Sequence, residues 1–317
     1  MSSKGFQYVY GPVPSRRLGR SLGIDLVPFK TCTYDCIYCQ LGRTTDKTTE
    51  RKEYVSANDI VEELERKLSD GDSPDYISLA GSGEPTLNLC IGELIDRIKT
   101  LTGIPVAVLT NGSLLWMTEI QHALMDADLV LPSLDAGDEA LFRCVNRPHK
   151  DISFGRMVDG IAAFTRRFRG EVWLEVLLLG GVTGIPAEAE KLAVLIRKIQ
   201  PTRVQLNTAS RPPAEEFVFS LSPDQMVALK GFFPGRVDIV SSGERGVAPT
   251  TVLSNDRKGD ILALLGRRPC TVADVAGGLA IHMNEALKHL DNLLAAGKAR
   301  TIVTGGRNFY TINKNSG

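Results

Sequence analysis

The stretch Phe29-Lys30-Thr31-Cys32-Thr33-Tyr34-Asp35-Cys36-Ile37-Tyr38-Cys39-Gln40 holds three of the six cysteines of the chain; Cys90, Cys144 and Cys270 are scattered. Six cysteines in 317 residues are too few for a disulfide scaffold. Clustered cysteines in a chain without a secretory signal point to metal or redox chemistry instead. Three readings of Cys32-x3-Cys36-x2-Cys39 compete. A structural zinc site needs four closed ligands, and the other cysteines form no second C-x2-C pair, although a distant histidine remains as a fourth ligand. A redox dithiol uses Cys36 and Cys39 and leaves Cys32 without a role. An iron–sulfur cluster is held by thiolates, uses all three cysteines, and leaves one iron free for a small molecule.

Downstream of this loop, β-rich runs alternate with amphipathic stretches. Strands are expected at 23–27, 76–79, 106–109, 129–131, 172–179 and 204–206, and helices at 57–68, 91–101, 118–125, 154–168 and 186–199. Strand–helix alternation of this kind reads as βαβ units on a parallel sheet with right-handed crossovers. Six repeats fall short of the eight in a closed barrel. The expected fold class is therefore α/β, a partial (β/α)6 barrel, with an open doubly wound sheet as the alternative.

Each strand is followed by a loop of unusual composition: the cysteine loop, then Gly81-Ser82-Gly83-Glu84-Pro85, Thr110-Asn111-Gly112, Ser133-Leu134-Asp135, Gly180-Gly181 and Asn207-Thr208. Parallel α/β sheets bind ligands at the carboxyl ends of their strands. Six such loops at one rim describe a single large site, beyond what turn chemistry alone requires. Arg16, Arg17 and Arg20 form a basic cluster before the first strand, either solvated or binding a substrate phosphate or carboxylate; Arg147 and His149 are candidates for the same site. Lys30 is the lysine nearest the cysteines.

Composition excludes several classes. Hydrophobic residues at 43% and charged residues at 23% are ordinary for a globular chain and rule out global disorder. Lys plus Arg equals Asp plus Glu at 37 each, so no global charge favours nucleic acid or anionic lipid. No run approaches the ~18 apolar residues of a membrane span, and residues 1–12 lack a signal peptide's apolar stretch. A cytoplasmic location with no membrane partner is expected.

The pattern changes after residue 210. Helices are expected at 257–265, 271–276 and 283–295, the last ended by Gly297 as its C′ residue. Strands at 299–303 and 308–312 follow, joined across Gly305-Gly306. Three helices and a hairpin make a winged-helix pattern. It carries nine Lys and Arg against five Asp and Glu, sparser than the basic face of a strong DNA reader. The expected organisation is a core at 1–240, a connection at 241–255 and a winged-helix-like domain at 256–317 lying outside the chemistry.

With an aromatic residue before its last cysteine, the C-x3-C-x2-C loop resembles the signature of the radical S-adenosylmethionine (SAM) superfamily. Gly81-Ser82-Gly83-Glu84-Pro85 is similar to that superfamily's Gly-Gly-Glu motif, with Ser82 in place of the first glycine. Thr110-Asn111-Gly112 and Ser133-Leu134-Asp135 stand where the superfamily has comparable segments, and the likeness runs from about Gly11 to Thr208. Within the superfamily, Gly11-Pro12-Val13-Pro14-Ser15-Arg16-Arg17-Leu18-Gly19, Cys39-Gln40-Leu41-Gly42, Asn146-Arg147-Pro148-His149 and Gln205-Leu206-Asn207-Thr208 resemble the group related to wyosine-base synthases. Those tRNA-modifying enzymes carry further cysteines upstream for a second cluster, and this chain has none before Cys32.

The resemblance implies a barrel of the radical SAM type and two cofactors, a [4Fe–4S] cluster and SAM. It implies that Cys32, Cys36 and Cys39 hold the cluster, and that SAM, chelated at the free iron, is cleaved reductively to a 5′-deoxyadenosyl radical that abstracts hydrogen from a substrate. Glu84 and the Gly83 backbone are then expected to hold the methionine ammonium. Ser133 and Asp135 reach the carboxylate and ribose hydroxyls, with Asn111 close by; Tyr38 lies against the adenine, and Asn207 helps to finish the adenosine pocket. The implied partners are an electron donor such as flavodoxin or ferredoxin and a substrate that is a small molecule, tRNA or peptide, the macromolecules docking through the winged-helix region. Wyosine-type tRNA modification and an iron–sulfur redox-sensing regulator are the alternatives.

Overall fold

The computed structural model describes residues 7–69, 73–240, 257–279 and 281–313. The expected connection at 241–255 lies outside them. In chain order the core runs β1 (Val9–Ser15), β2 (Gly19–Asp25), the two-residue β3 (Thr31–Cys32) and β4 (Asp46–Lys47), α1 (Ala57–Ser69), β5 (Tyr76–Ala80), α2 (Ile91–Leu101), β6 (Val106–Thr110), α3 (Thr118–Ala123), β7 (Leu129–Pro132), α4 (Glu139–Val145), α5 (Phe154–Arg167), β8 (Glu171–Leu178), α6 (Pro186–Ile199), β9 (Arg203–Thr208), α7 (Pro223–Lys230) and β10 (Val237–Ile239).

The main sheet has eight strands in the order β1-β2-β5-β6-β7-β8-β9-β10. The six expected strands are β2 and β5 to β9, and they are parallel throughout. Two more extend the sheet beyond the expected six: β10 adds to β9 in parallel, and β1 pairs antiparallel with β2. The helices α4 and α7 were likewise unexpected.

Alternation along the strands assigns the two faces of the sheet. Leu22, Ile24, Ile77, Leu79, Val108, Val130, Leu174, Val176, Val204 and Leu206 face the helices and share the main core with Ile60, Leu64, Ile95, Ile161, Phe164 and Ile196. The opposite face carries a separate cluster of Leu18, Ala107, Leu129, Leu131 and Trp173. Leu18 belongs to the β1–β2 turn and Trp173 to β8, yet both are almost fully buried in this one cluster. A flat sheet would hold those strands well apart, so the sheet curls on itself. Arg17 in the same turn crosses the interior to Glu175 of β8 at 2.6 Å. The result is a mixed α/β fold with a curled parallel sheet, consistent with a partial barrel.

The C-terminal region has the expected elements: α8 (Arg257–Arg267), α9 (Val272–Leu279), α10 (Met283–Ala295) and the antiparallel pair β11 (Ala299–Thr304) and β12 (Arg307–Ile312). It buries its own core of Ile261, Leu265, Cys270, Val275, Leu290 and Tyr310, against which Val13 of β1 packs. It touches the barrel at both edges. The α9 helix lies on β1, while Asp274 of α9 pairs with Arg211 beyond β9 at 3.0 Å.

Candidate active site

Two strand-end loops are zipped together before any cofactor is considered. Lys30 N donates to Ser82 O (2.7 Å) and Glu84 N donates to Thr31 O (3.1 Å), tying the cysteine loop to the Gly81–Pro85 loop. Two close approaches, one to the cysteine loop and one to the end of β2, explain both glycines. A Cβ on Gly83 would lie 1.9 Å from Thr31 O, and one on Gly81, whose φ is +114°, would lie 1.9 Å from Asp25 Oδ1. Ser82, at the motif's departure from Gly-Gly-Glu, donates from its backbone N (2.9 Å) and its Oγ (3.3 Å) to Asp25 Oδ1. The remaining oxygen of Asp25 accepts from Arg267 at the end of α8, and the Arg267 guanidinium lies 3.7 Å from the centre of the Tyr10 ring.

Glu84 is 1% exposed. Its Oε1 accepts from Thr86 N (3.1 Å), Thr86 Oγ1 (2.6 Å) and Thr110 Oγ1 (2.6 Å), and its Oε2 from Asn111 N (2.7 Å). One carboxylate therefore joins the ends of β5 and β6. Burial pushes its pKa up, and these hydrogen bonds pull it back.

Each of the three cysteine sulfurs receives a side-chain N–H donor from a different place in the fold. Asn111 Nδ2 lies 3.6 Å from Cys32 Sγ, Asn146 Nδ2 lies 3.6 Å from Cys36 Sγ, and Lys30 Nζ lies 3.1 Å from Cys39 Sγ. All three thiols are free. Burial, with the Glu84 charge adding to it, pushes Cys32 up to about 12, and burial next to the other two thiols raises Cys36. The Cys32 and Cys36 thiols are thereby held protonated until strong positive charge is supplied, which bound iron does. Among the described residues no three His, Cys, Asp or Glu side chains converge closely enough to hold a single metal ion. In a [4Fe–4S] cluster the thiolates sit on separate irons and need no such common point.

Asp135 is the second hub and is 3% exposed. Its Oδ2 accepts from Tyr38 OH and from Asn146 Nδ2 (2.9 Å), and its Oδ1 from Leu177 N (3.0 Å). Burial raises its pKa to about 6 against these three bonds. Asn146 reaches Cys36, Tyr38 and Asp135 with one amide nitrogen, while its buried Oδ1 has no partner. An orphaned buried acceptor beside three free thiols and their donors fits a site that takes a polar group. Ser133 stands on the same rim, partly exposed, bridged to Glu175. Asn207 lies deeper, its Nδ2 3.2 Å from Glu175 Oε1.

Most of the residues expected from sequence thus meet. Cys32, Cys36, Cys39, Tyr38, Glu84, Asn111 and Asp135 form one bonded network, with Gly83 packed beneath it. Asn207 joins through Glu175, whose charge acts on Asp135. Lys30, Thr86, Thr110, Asn146 and Glu175 are the members that sequence reasoning did not assign; the Asn146-Arg147-Pro148-His149 motif was the one signal for Asn146. Arg147 pairs with Glu215, as Arg43 does at 3.0 Å. Arg20 separates from Arg16 and Arg17, its Nη1 bonding Ser73 O at 3.3 Å. Cys90 stands at the start of α2, Cys144 is exposed on α4, and Cys270 is buried in the C-terminal core. A surface hollow of about 570 Å³ lies at the far end of the sheet, among Lys99, Asp126, Asp128 and Arg169, away from this chemistry.

A curled parallel sheet with three cysteines after its first parallel strand and a glycine–glutamate loop after the next defines a class. The chain belongs to the radical SAM superfamily, whose family model matches residues 26–218. The superfamily's enzymes use a [4Fe–4S] cluster and SAM, and these are the cofactors here. Among curated relatives, a UPF0026 protein of Helicobacter pylori is 35% identical over 98% of this chain and 99% of its own length. A UPF0026 protein of Methanocaldococcus jannaschii is 31% identical over 96% and 95%. A protein of Brachyspira hyodysenteriae called GTPase Obg is 40% identical over 96% of this chain, which spans 45% of that relative's length. Of solved structures, a radical SAM methyltransferase from Sphaerobacter thermophilus shares the fold with a TM-score of 0.56 at 19% identity, over 70% of this chain and 67% of that one. Streptococcus suis SuiB bound to SAM does so with a TM-score of 0.52 at 15% identity, over 68% and 50%. Among the described residues no helix is long and apolar enough to cross a membrane.

Proposed function

We propose that Cys32, Cys36 and Cys39 hold a [4Fe–4S] cluster with one open iron, and that the chain cleaves SAM reductively to start hydrogen abstraction from a substrate. The observation that carries this reading is the set of three side-chain N–H donors that Lys30, Asn111 and Asn146 deliver to Cys39, Cys32 and Cys36. Cluster and SAM together supply a 5′-deoxyadenosyl radical; the protein positions them and excludes competing donors.

The residues divide this work. Lys30 brings a buried positive charge to Cys39, and N–H donors to cluster sulfurs ease reduction. Tyr38, Asp135 and Asn146 hold the cysteine loop against the rim. Glu84 Oε2, bonded among the described residues to Asn111 N alone, keeps an acceptor site for the methionine ammonium beside the Gly83 backbone. Ser133, Asn111 and Asn207 complete the SAM side of the rim, and an external one-electron donor such as flavodoxin or ferredoxin supplies the electron. For the winged-helix-like region we favour a part in building the site over docking a separate macromolecule. The support is the bonded path from Arg267 through Asp25 to Ser82.

The test is anaerobic reconstitution followed by dithionite and SAM. Release of 5′-deoxyadenosine and methionine is expected. A protein that binds its cluster and releases neither product is a sensor, and the reading fails.

A further inference from the structure

Beyond the cysteines and SAM rim, a second group of charged side chains collects where three separate segments meet. Arg16 and Arg17 come from the β1–β2 turn, Arg211 from the segment after β9, and Arg268 from the residue following α8. Arg17 pairs with Glu175 at 2.6 Å, the two side chains 17% and 14% exposed. Arg211 pairs with Asp274 at 3.0 Å, and its buried Nε has no partner. Arg16 feels the charges of Arg17, Arg211, Arg268 and Glu175. Among the described residues the Arg16 guanidinium has no hydrogen-bond or ion-pair partner, while that of Arg268 bears on the Cys270 thiol and on Asp274.

A purely structural network balances its charges, because crowding like charges away from water costs free energy. This one does not balance: four guanidinium groups face two carboxylates, which leaves two positive charges. The crowding bears on Arg16, which burial and the neighbouring Arg211 and Arg17 pull down to about 10. Arginines from three segments, with unspent planar donors, are suited to bind an oxyanion bidentately. A phosphate monoester carries about −1.5 to −2 at neutral pH, which matches the surplus; a carboxylate supplies half of it. The knot also adjoins the chemistry. Glu175, the partner of Arg17, holds Asn207 at 3.2 Å, pairs in register with Gln205, whose buried Oε1 is unpartnered, and acts on Asp135.

We infer that Arg16, Arg17, Arg211 and Arg268 bind the phosphate group of the substrate, a phosphomonoester, and so aim its carbon skeleton along the barrel interior toward the cysteine rim. The inference rests on the radical SAM reading above. It also gives the C-terminal region a defined role, because Arg268 closes the anion site that the barrel leaves open.

The experiment measures inorganic phosphate binding to the full reconstituted chain by calorimetry, with iron content and SAM affinity determined on the same sample. Saturable phosphate binding is expected, weakened about tenfold or more in Arg16→Gln and in Arg268→Gln and unchanged in Arg20→Gln, whose side chain points elsewhere. Melting temperatures of the variants identify any that fail to fold; binding to the wild-type chain decides the matter independently of them. A wild-type sample with full iron and SAM binding but no phosphate affinity overturns this inference and leaves the radical SAM reading standing. A sample lacking iron overturns the reading itself. Equal weakening by Arg20→Gln, or tight tRNA binding that phosphate does not displace, also overturns the phosphomonoester assignment.

Discussion

Replacing Glu84 by Ala gives the sharpest lesion available in the SAM loop, because the carboxylate is buried and serves four donors. The hydroxyls of Thr86 and Thr110 can rotate to other acceptors, but the backbone N–H groups of Thr86 and Asn111 cannot. Each orphaned buried donor costs about 1–3 kcal/mol, so the two together cost about 2–6 kcal/mol. Removing a carboxylate whose burial already raises its pKa returns part of this, leaving a net loss of about 2–3 kcal/mol. At roughly 2–4 °C per kcal/mol for a domain of this size, the melting temperature should fall by roughly 4–12 °C. Glu84→Gln keeps the acceptor for the threonines but turns an amide toward Asn111 N, and should fall between the two. The assay is thermal unfolding of the iron-free protein at a fixed scan rate, so that no cofactor contributes. In the loaded protein SAM binding should weaken by about 10- to 150-fold, the loss of one charge-assisted hydrogen bond. An iron-free Glu84→Ala protein melting within about 1 °C of wild type would refute the carboxylate as the tie between β5 and β6.

Asp135 links stability to pH. Its folded pKa of about 6 exceeds the 3.8 of a free carboxyl, so between those values the folded state keeps a proton that the unfolded chain has lost. The contribution is fully present below about pH 4 and is lost as pH rises through 6, about 3 kcal/mol in all; Asp135→Asn should flatten this part of the profile, and parallel profiles would count against it. Lys30→Met removes a charged donor to a cluster sulfur and should make the cluster harder to reduce, by about 60 mV, the one-electron equivalent of a tenfold change. Redox titration followed by EPR measures this, and an unchanged potential at full iron content would contradict it. Arg267→Gln should loosen the Ser82 loop through Asp25 and weaken SAM binding without loss of iron; equal SAM affinity would show that the C-terminal region stands apart from the loop.

The parallel strands were legible because their apolar runs are bounded by helical periodicity on both sides. The edge strand β1 was not, since Gly11, Pro12 and Pro14 break its pattern. Nor was β10, which is three residues long. Nor was the seven-residue α4, although Asp138 caps it through Leu141 N. At the site, residue types and strand-end positions pointed to Glu84, Asn111 and Asp135 but not to where their side chains turn. Glu84 and Asp135 spend most of their oxygens on the protein, which depends on how the β5, β6, β7 and β8 ends approach one another. Lys30, Asn146 and Glu175 acquire meaning only from tertiary contact: a φ of +62° at Lys30, a helix end that brings Asn146 to Cys36, and sheet curvature that brings Arg17 to Glu175.

The central claim is a three-cysteine cluster with one iron open to SAM, and EPR of the reduced, reconstituted protein tests it directly. The wild type should hold about four irons per chain and give a [4Fe–4S]+ signal that changes when SAM is added. Replacing Cys90, Cys144 and Cys270 together by Ala should leave signal and response intact, whereas Ala at Cys32, Cys36 or Cys39 should abolish them. A cluster that survives loss of any of those three, or a signal indifferent to SAM, would contradict the account.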